Sequence, residues 1–157
     1  MYSNLLVPYD SSVHAQNALK AACELARLED SASITVINVT EAINFNDPSF
    51  IAAARMAGLV EAAGDASSET KREFFEGKRK ALADEVQQLV GQVPDGVELK
   101  FAVDSGRPQD CIVDYAQKYG IDCVVMGRRG LGAIRGALGS VSYAVLRSVD
   151  IPVLVVK

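Results

Sequence analysis

A chain of 157 residues that is 49% hydrophobic and 23% charged has the size and apolar content of one globular domain with its own core. Two domains with separate cores would be cramped in that length, and no disulfide or metal staple is needed. A net charge of −4 and a pI near 5.0 argue against a surface built for nucleic acid or for an anionic membrane.

The first strand is read at Leu5, Leu6 and Val7, and it stops at Pro8, Tyr9, Asp10, Ser11 and Ser12. The residues before it have no basic n-region, so a strand is expected there rather than a signal peptide, and with it a cytoplasmic protein. Apolar residues then recur at Ala15, Ala18, Leu19, Ala22, Leu25 and Ala26, the spacing of one helix face, with Ser11 or Ser12 as its N-cap. Ile34 to Val39 is β-branched and apolar, a buried second strand. From about 44 to 70, Pro48, Gly58 and Gly64 punctuate an alanine-rich segment, which is expected to be a flexible insert or to hold a short helix. Charges of both signs then surround Phe74, Phe75, Leu82, Val86 and Leu89, as on a half-exposed helix from Glu69 to about Gln88, with Gly77 in its middle.

Pro94, Asp95 and Gly96 form a turn, and Val97 to Val103 alternates as a third strand. Pro108 suits a first helical position; Ile112, Val113, Tyr115 and Ala116 continue that helix, and Gly120 lies just past its end. Cys123 to Met126 is a fourth strand running straight into Gly127. Val141 to Arg147 is helical, and Ile151 to Val156 is the last strand. This order predicts a single domain over 1–157, an α/β fold with one doubly wound, mostly parallel five-stranded sheet and helices on both faces. Ligands of such sheets bind beyond the carboxyl ends of the strands, where the strand order reverses. No apolar run approaches the roughly 20 residues of a membrane helix. Cys23, Cys111 and Cys123 contain no CxxC pair and read as reduced core residues, and the single histidine, His14, rules out most histidine-rich metal sites.

The chemistry concentrates after the fourth strand. Gly127, Gly130, Gly132, Gly136 and Gly139 fall within thirteen residues, between a strand and a helix that opens at Ser140. Glycines let a backbone approach a ligand and turn its amides inward, and a helix N-terminus favours an anion. Between Val124 and Val149 there are four arginines and no acid, and Ser140 and Ser142 add hydroxyls. A solvated connector is the competing account, and the arginine excess in an acidic chain favours the phosphate. A side chain at Gly130 or Gly139 is expected to intrude on such a phosphate or to require positive φ. The dinucleotide fingerprint fails because Arg135 stands where its last glycine belongs, and the GK[ST] of a P-loop is absent. The loop supplies no general base unless Asp10 reaches across, and whether the ring of His14 faces the site is open.

Gly127 and Gly130, then Gly139 and Ser140, then Pro152 to Val156, form a pattern that resembles the universal stress protein family. Leu5 to Ser12 is similar to that family's opening strand and loop, and Val103 to Pro108 to its third strand and following turn. The likeness covers almost the whole chain outside about 44 to 70. It implies an adenine-nucleotide-binding protein of the ATP-binding branch, with Pro8, Tyr9, Asp10 and Val39 framing adenine and ribose. It implies Met126 and Gly127 beside the ribose, and Arg129, Gly130, Gly139, Ser140, Val141 and Ser142 around the phosphates, with Mg²⁺ carried on them. Eight residues separate Gly130 from Gly139 where the branch has nine, and Ser11 replaces a common glycine, which leaves ATP, ADP and AMP open. A regulatory homodimer paired through Ile151 to Val156 is expected, both from the resemblance and from the apolar edge that strand would present. The alternatives are a nucleotide-independent dimeric interaction protein with a vestigial site, and a slow ATPase or self-phosphorylating protein.

Overall fold

Five segments pair side by side as strands, the central ones buried on both faces and the outer ones partly exposed. They are β1 (Asn4–Pro8), β2 (Ala32–Thr40), β3 (Val97–Ser105), β4 (Cys123–Gly127) and β5 (Val153–Val156). The computed structural model describes residues 2–58, 68–91, 93–131 and 138–157. All the strands are parallel, in the order β3-β2-β1-β4-β5, with Leu5 paired to Ile34 on one side and to Cys123 on the other. The doubly wound sheet expected from the sequence is the one observed.

Side chains alternate across each strand, so β1 feeds two cores. Leu5 and Val7 join Ile34, Val36 and Val125 in the first. Ala18, Leu19 and Ala22 of α1 (Val13–Ala26) cover that face, together with Leu82 and Val86 of α3 (Ser68–Val90). Leu6 joins Ile37, Val124 and Met126 in the second, which Ile112 and Ala116 of α4 (Pro108–Lys118) and Val145 of α5 (Ser140–Ser148) close. The sheet is thus a middle layer between two pairs of helices.

Two elements settle points that the sequence left open, and one differs in its bound. A helix, α2 (Pro48–Met56), occupies part of the segment expected to be a flexible insert or to hold a short helix; residues 59–67 of that segment lie outside the described residues. Asp47 starts α2 by accepting from the amides of Ser49 and Phe50, and Pro48 takes the first helical position. Phe45, Phe50, Phe74 and Phe75 then pack with ring centroids 5.2 to 5.8 Å apart, joining α2 to α3. Helix α3 runs unbroken through Gly77. Burying Phe74, Leu82 and Val86 on one face outweighs the roughly 1 kcal/mol a mid-helix glycine costs. Strand β5 begins at Val153, two residues later than read, because the carbonyl of Pro152 accepts the Val124 amide while Ile151 turns into the second core.

The strand order places the reversal between β1 and β4. The chain moves from β1 outward to β2 and β3, then crosses to β4 and β5 on the other side. The carboxyl ends of β1 and β4 therefore diverge and leave a crevice.

Candidate functional site

The β1 lip of this crevice is a tight turn. The Tyr9 amide extends the ladder by donating to the Ile37 carbonyl at 2.8 Å, and Asn38 Nδ2 donates to the Tyr9 carbonyl at 2.8 Å. The ring of Tyr9 is buried, and its hydroxyl donates to Glu85 of α3 at 2.9 Å. Burial first, and the Glu85 carboxylate second, push this phenol well above its ordinary range, so it stays a proton donor. Ser11, which stands where glycine is common, has φ of 64°, a left-handed backbone that disfavours a residue with a Cβ. Ser12 caps α1, its hydroxyl accepting from the Ala15 amide at 3.2 Å.

The β4 lip is built from close approaches. A Cβ at Gly127 would lie 2.7 Å from the backbone of His14, so β4 can end there only as glycine with α1 pressed against it. A Cβ at Gly130 would collide with the carboxylate of Asp10. Gly139 starts α5 with φ of −62° and no side-chain cap, and a Cβ there would meet Arg129 Cα at 3.3 Å. None of these three glycines has positive φ, which corrects one of the two reasons expected for Gly130 and Gly139. Gly127 and Gly130 are required by close neighbours, His14 behind and Asp10 across the crevice, and not by backbone angles; at Gly139 the approach is only tight. Residues 132–137, including Gly132, Arg135 and Gly136, lie outside the described residues.

One hydrogen bond, from the Leu131 amide to Asp10, ties the lips together, and others brace each lip from within. Asp10 accepts from the Ser12 amide through Oδ1 and from the Leu131 amide through Oδ2, both at 3.1 Å. Ser142 is buried and its hydroxyl donates to the Gly127 carbonyl at 2.9 Å, fixing α5 to the end of β4. The Gly139 amide donates to the Arg128 carbonyl at 2.9 Å, so α5 starts directly over the strand end.

Between the lips lies a cavity of about 610 Å³, within the range of small-molecule sites. Pro8, Tyr9, Asp10, Val39, Met126, Gly127, Arg129, Gly130, Gly139, Ser140, Val141 and Ser142 all line it. The structure thus brings these twelve residues, singled out from the sequence, around one cavity. Pro8, Val39 and Met126 form an apolar floor near the ends of β1, β2 and β4, while Arg129 and the first turn of α5 form a polar rim. His14 does not line the cavity; its backbone supports Gly127 from behind.

Sequence reasoning missed Ile37, Pro108 and Ile112, which complete the apolar wall. The strand order predicts that wall, since α4 packs beside β2 on the face that opens to the crevice. It also missed Asn38 and Glu85, for which no local pattern gives a signal. Cys23 and Cys123 are buried and Cys111 is half-buried; burial pushes each thiol above its ordinary range, as for inert core residues. Among the described residues there is no cluster of three or more histidine, cysteine or acidic side chains able to hold a metal, and no helix long and apolar enough to cross a membrane.

The model of the universal stress protein family matches residues 1–157. The universal stress protein Sll1388 of a Synechocystis species is 32% identical, over 99% of this chain and 98% of its own. The universal stress protein MJ0577 of Methanocaldococcus jannaschii is 30% identical, over 100% of this chain and 96% of its own. The solved structure of universal stress protein UspA from Lactobacillus plantarum superposes with a TM-score of 0.73 at 26% identity, covering 99% of this chain and 98% of that one. Two more distant structures of the same fold, at 22% and 23% identity, are complexes of universal stress proteins with cAMP and with dAMP.

Proposed function

The chain belongs to the universal stress protein family, and from that membership we propose that it is an adenine-nucleotide-binding protein of the cytoplasm, acting as a regulatory dimer in a stress response. The observation that carries this reading is the convergence of one apolar floor, one carboxylate, one arginine and one uncapped helix start on a single cavity of about 610 Å³. The floor of Pro8, Val39, Ile37 and Met126 suits a flat heteroaromatic base. Asp10 is the acceptor for ribose hydroxyls, since an ionised carboxylate takes up to four hydrogen bonds and two of its positions are already filled. The amides at the start of α5, the hydroxyl of Ser140 and the guanidinium of Arg129 form the phosphate end. Among the described residues Asp10 is the one acid lining the cavity, so Mg²⁺ would be carried on the phosphates rather than in a protein cage. Family members held with cAMP and dAMP support the adenine and ribose part of the reading, and leave the number of phosphates to this chain's own loop.

Calorimetry with ATP, ADP, AMP and GTP, with and without Mg²⁺, tests the proposal. Adenine nucleotides are expected to bind and GTP to bind more weakly. A ligand at one hundred times its Kd also adds about 2.7 kcal/mol to stability, readable as a rise in melting temperature. No heat and no shift with any of the four would refute the reading.

The dimer rests on β5, which pairs with β4 along one side and lies at the edge of the sheet. Leu154 is exposed on this strand, and an apolar edge with unpaired backbone groups is normally covered. Pairing of β5 with its copy about a two-fold axis covers both. Light scattering at micromolar concentration is expected to give a dimer and Val155→Asp to shift it toward monomer; a monomeric wild type would show otherwise.

A further inference from the structure

One carboxylate reaches the β1 turn from an element that does not line the cavity. Glu85 of α3 accepts from the Tyr9 hydroxyl through Oε1 at 2.9 Å and from the Ser11 hydroxyl through Oε2 at 3.0 Å. Its two partners flank Asp10, whose own carboxylate points the other way, to the Leu131 amide of the opposite lip. Residues 9 and 11 are therefore drawn toward α3 while residue 10 is turned toward the crevice.

This matters because of the backbone at Ser11. Among the described residues it is the one non-glycine with a left-handed φ, 64°. Such a conformation is unfavourable for an L-residue with a Cβ unless its surroundings hold it. The backbone of Ser11 is helped from α1, where Gln16 Nε2 donates to its carbonyl at 3.3 Å. Its side chain is held by Glu85. Tyr9 is already fixed through its backbone by Ile37 and Asn38, so the tie that Glu85 adds is chiefly to residue 11.

We propose that Glu85 is a positioning residue for the nucleotide site, holding the Tyr9–Ser11 turn in the strained form that aims the Asp10 carboxylate at the cavity and the glycine-rich loop. The geometry stands by itself; the ligand rests on the adenine-nucleotide reading above. Helix α3 thereby becomes part of the site without touching it, and a shift of α3 would be felt at Asp10. The raised pKa of Tyr9 fits this arrangement, because a permanent donor keeps Glu85 in place between its two hydroxyls.

The test uses the full chain and a suppressor. Glu85→Ala is expected to weaken ATP binding by about tenfold, the size of effect that releasing one left-handed residue produces. Adding Ser11→Gly, which adopts positive φ without strain, is expected to bring the affinity back to within about twofold of wild type. A merely structural role for Glu85 would not respond to that second change, since it removes a further hydroxyl and restores no contact. Wild-type affinity in Glu85→Ala, or a double variant as weak as the single one, overturns the proposal. Should the wild type bind no nucleotide, the functional reading fails and hydrogen exchange at the Leu131 amide decides the positioning role. That amide is expected to exchange about tenfold faster in Glu85→Ala and near the wild-type rate in the double variant; an unchanged rate in Glu85→Ala overturns the role. Should Glu85→Ala fail to fold, Glu85→Gln is read by the same measurements and the same criteria.

Discussion

Helices α1 and α5 both begin at the crevice, one after β1 and one after β4, and they begin differently. Ser12 closes the start of α1, its hydroxyl accepting from the Ala15 amide. Gly139 leaves the start of α5 without a side-chain cap. The first turn of any helix carries amides with no partner inside the helix. In α1 one of these is satisfied from within the chain, and Asp10 additionally takes the Ser12 amide. In α5 the corresponding groups face the cavity. The same strand-to-helix junction is thus sealed at one lip and left open at the other, and the open one is where the phosphates of the proposed nucleotide would supply what the sequence withholds. Helix α2, away from the crevice, is capped by Asp47, while α4, like α5, starts without a side-chain cap, so it is the place of the bare start at the crevice, and not its bareness alone, that sets α5 apart from α1.

The sharpest way to break this picture is to fill the gap between the lips. Gly130→Val places a branched side chain where the Asp10 carboxylate lies, so Asp10 must move and release the Leu131 amide. Nucleotide affinity is expected to fall at least a hundredfold, about 2.7 kcal/mol, while the melting temperature of the free protein changes by only a few degrees. Calorimetry paired with thermal denaturation reads both. Retained affinity would mean that Asp10 and the glycine lip do not form one site.

Gly127→Ala acts on the other side of the same lip with the opposite signature. Its methyl would lie 2.7 to 2.9 Å from backbone and Cβ atoms of His14, and a helix backbone cannot step aside as a flexible side chain can. Forcing α1 away from β4 is expected to cost about 2 kcal/mol of stability in chemical denaturation. An unchanged midpoint would show that the junction has room that the geometry denies.

These two glycines also show where reading the sequence succeeds and where it stops. The glycine-rich stretch between β4 and α5 was legible because a strand, a run of glycines, arginines without acids and a serine-led helix are all local patterns. The central strands were legible for the same reason, as continuous apolar runs buried on both faces, and β3 as an alternating one. The physical cause of each glycine was not. Gly127 is glycine because His14 passes behind it, and Gly130 because Asp10 lies in front, and both partners are more than a hundred residues away in sequence. Glu85 is the extreme case. It lies among alternating charges on a half-exposed helix, and nothing local distinguishes it from Glu76 or Asp84. Sequence reading puts the β5 boundary two residues early, and leaves the helix at Pro48–Met56 as one of two possibilities, for a milder reason. Apolar composition marks Ile151 as strand or core alike, and an alanine-rich stretch becomes a helix once Asp47 caps it and Phe50 finds Phe45 and Phe74.

The smallest expected effect on stability carries the finest test of the comparison, because it converts the open lip into the closed one. Gly139→Ser gives α5 the kind of N-cap that Ser12 gives α1. The backbone there is ready for it, with φ of −62° and ψ of 150°, close to the −67° and 155° of Ser12. Serine in place of glycine at an N-cap is worth a few tenths of a kcal/mol. The added Cβ meets Arg129 Cα at 3.3 Å and the Arg128 carbonyl at 3.4 Å, which takes back part of that gain. Stability is therefore expected to change by less than about 0.5 kcal/mol in either direction. Nucleotide binding is expected to weaken several-fold, with the loss larger for ATP than for AMP, because the new hydroxyl competes with the phosphates for the amides of the first turn. Calorimetry with both nucleotides, alongside thermal denaturation of the free protein, separates the two effects. Equal affinity of wild type and Gly139→Ser for ATP would mean that phosphates are held elsewhere on the loop and that the bare start of α5 serves only the close approach to Arg129.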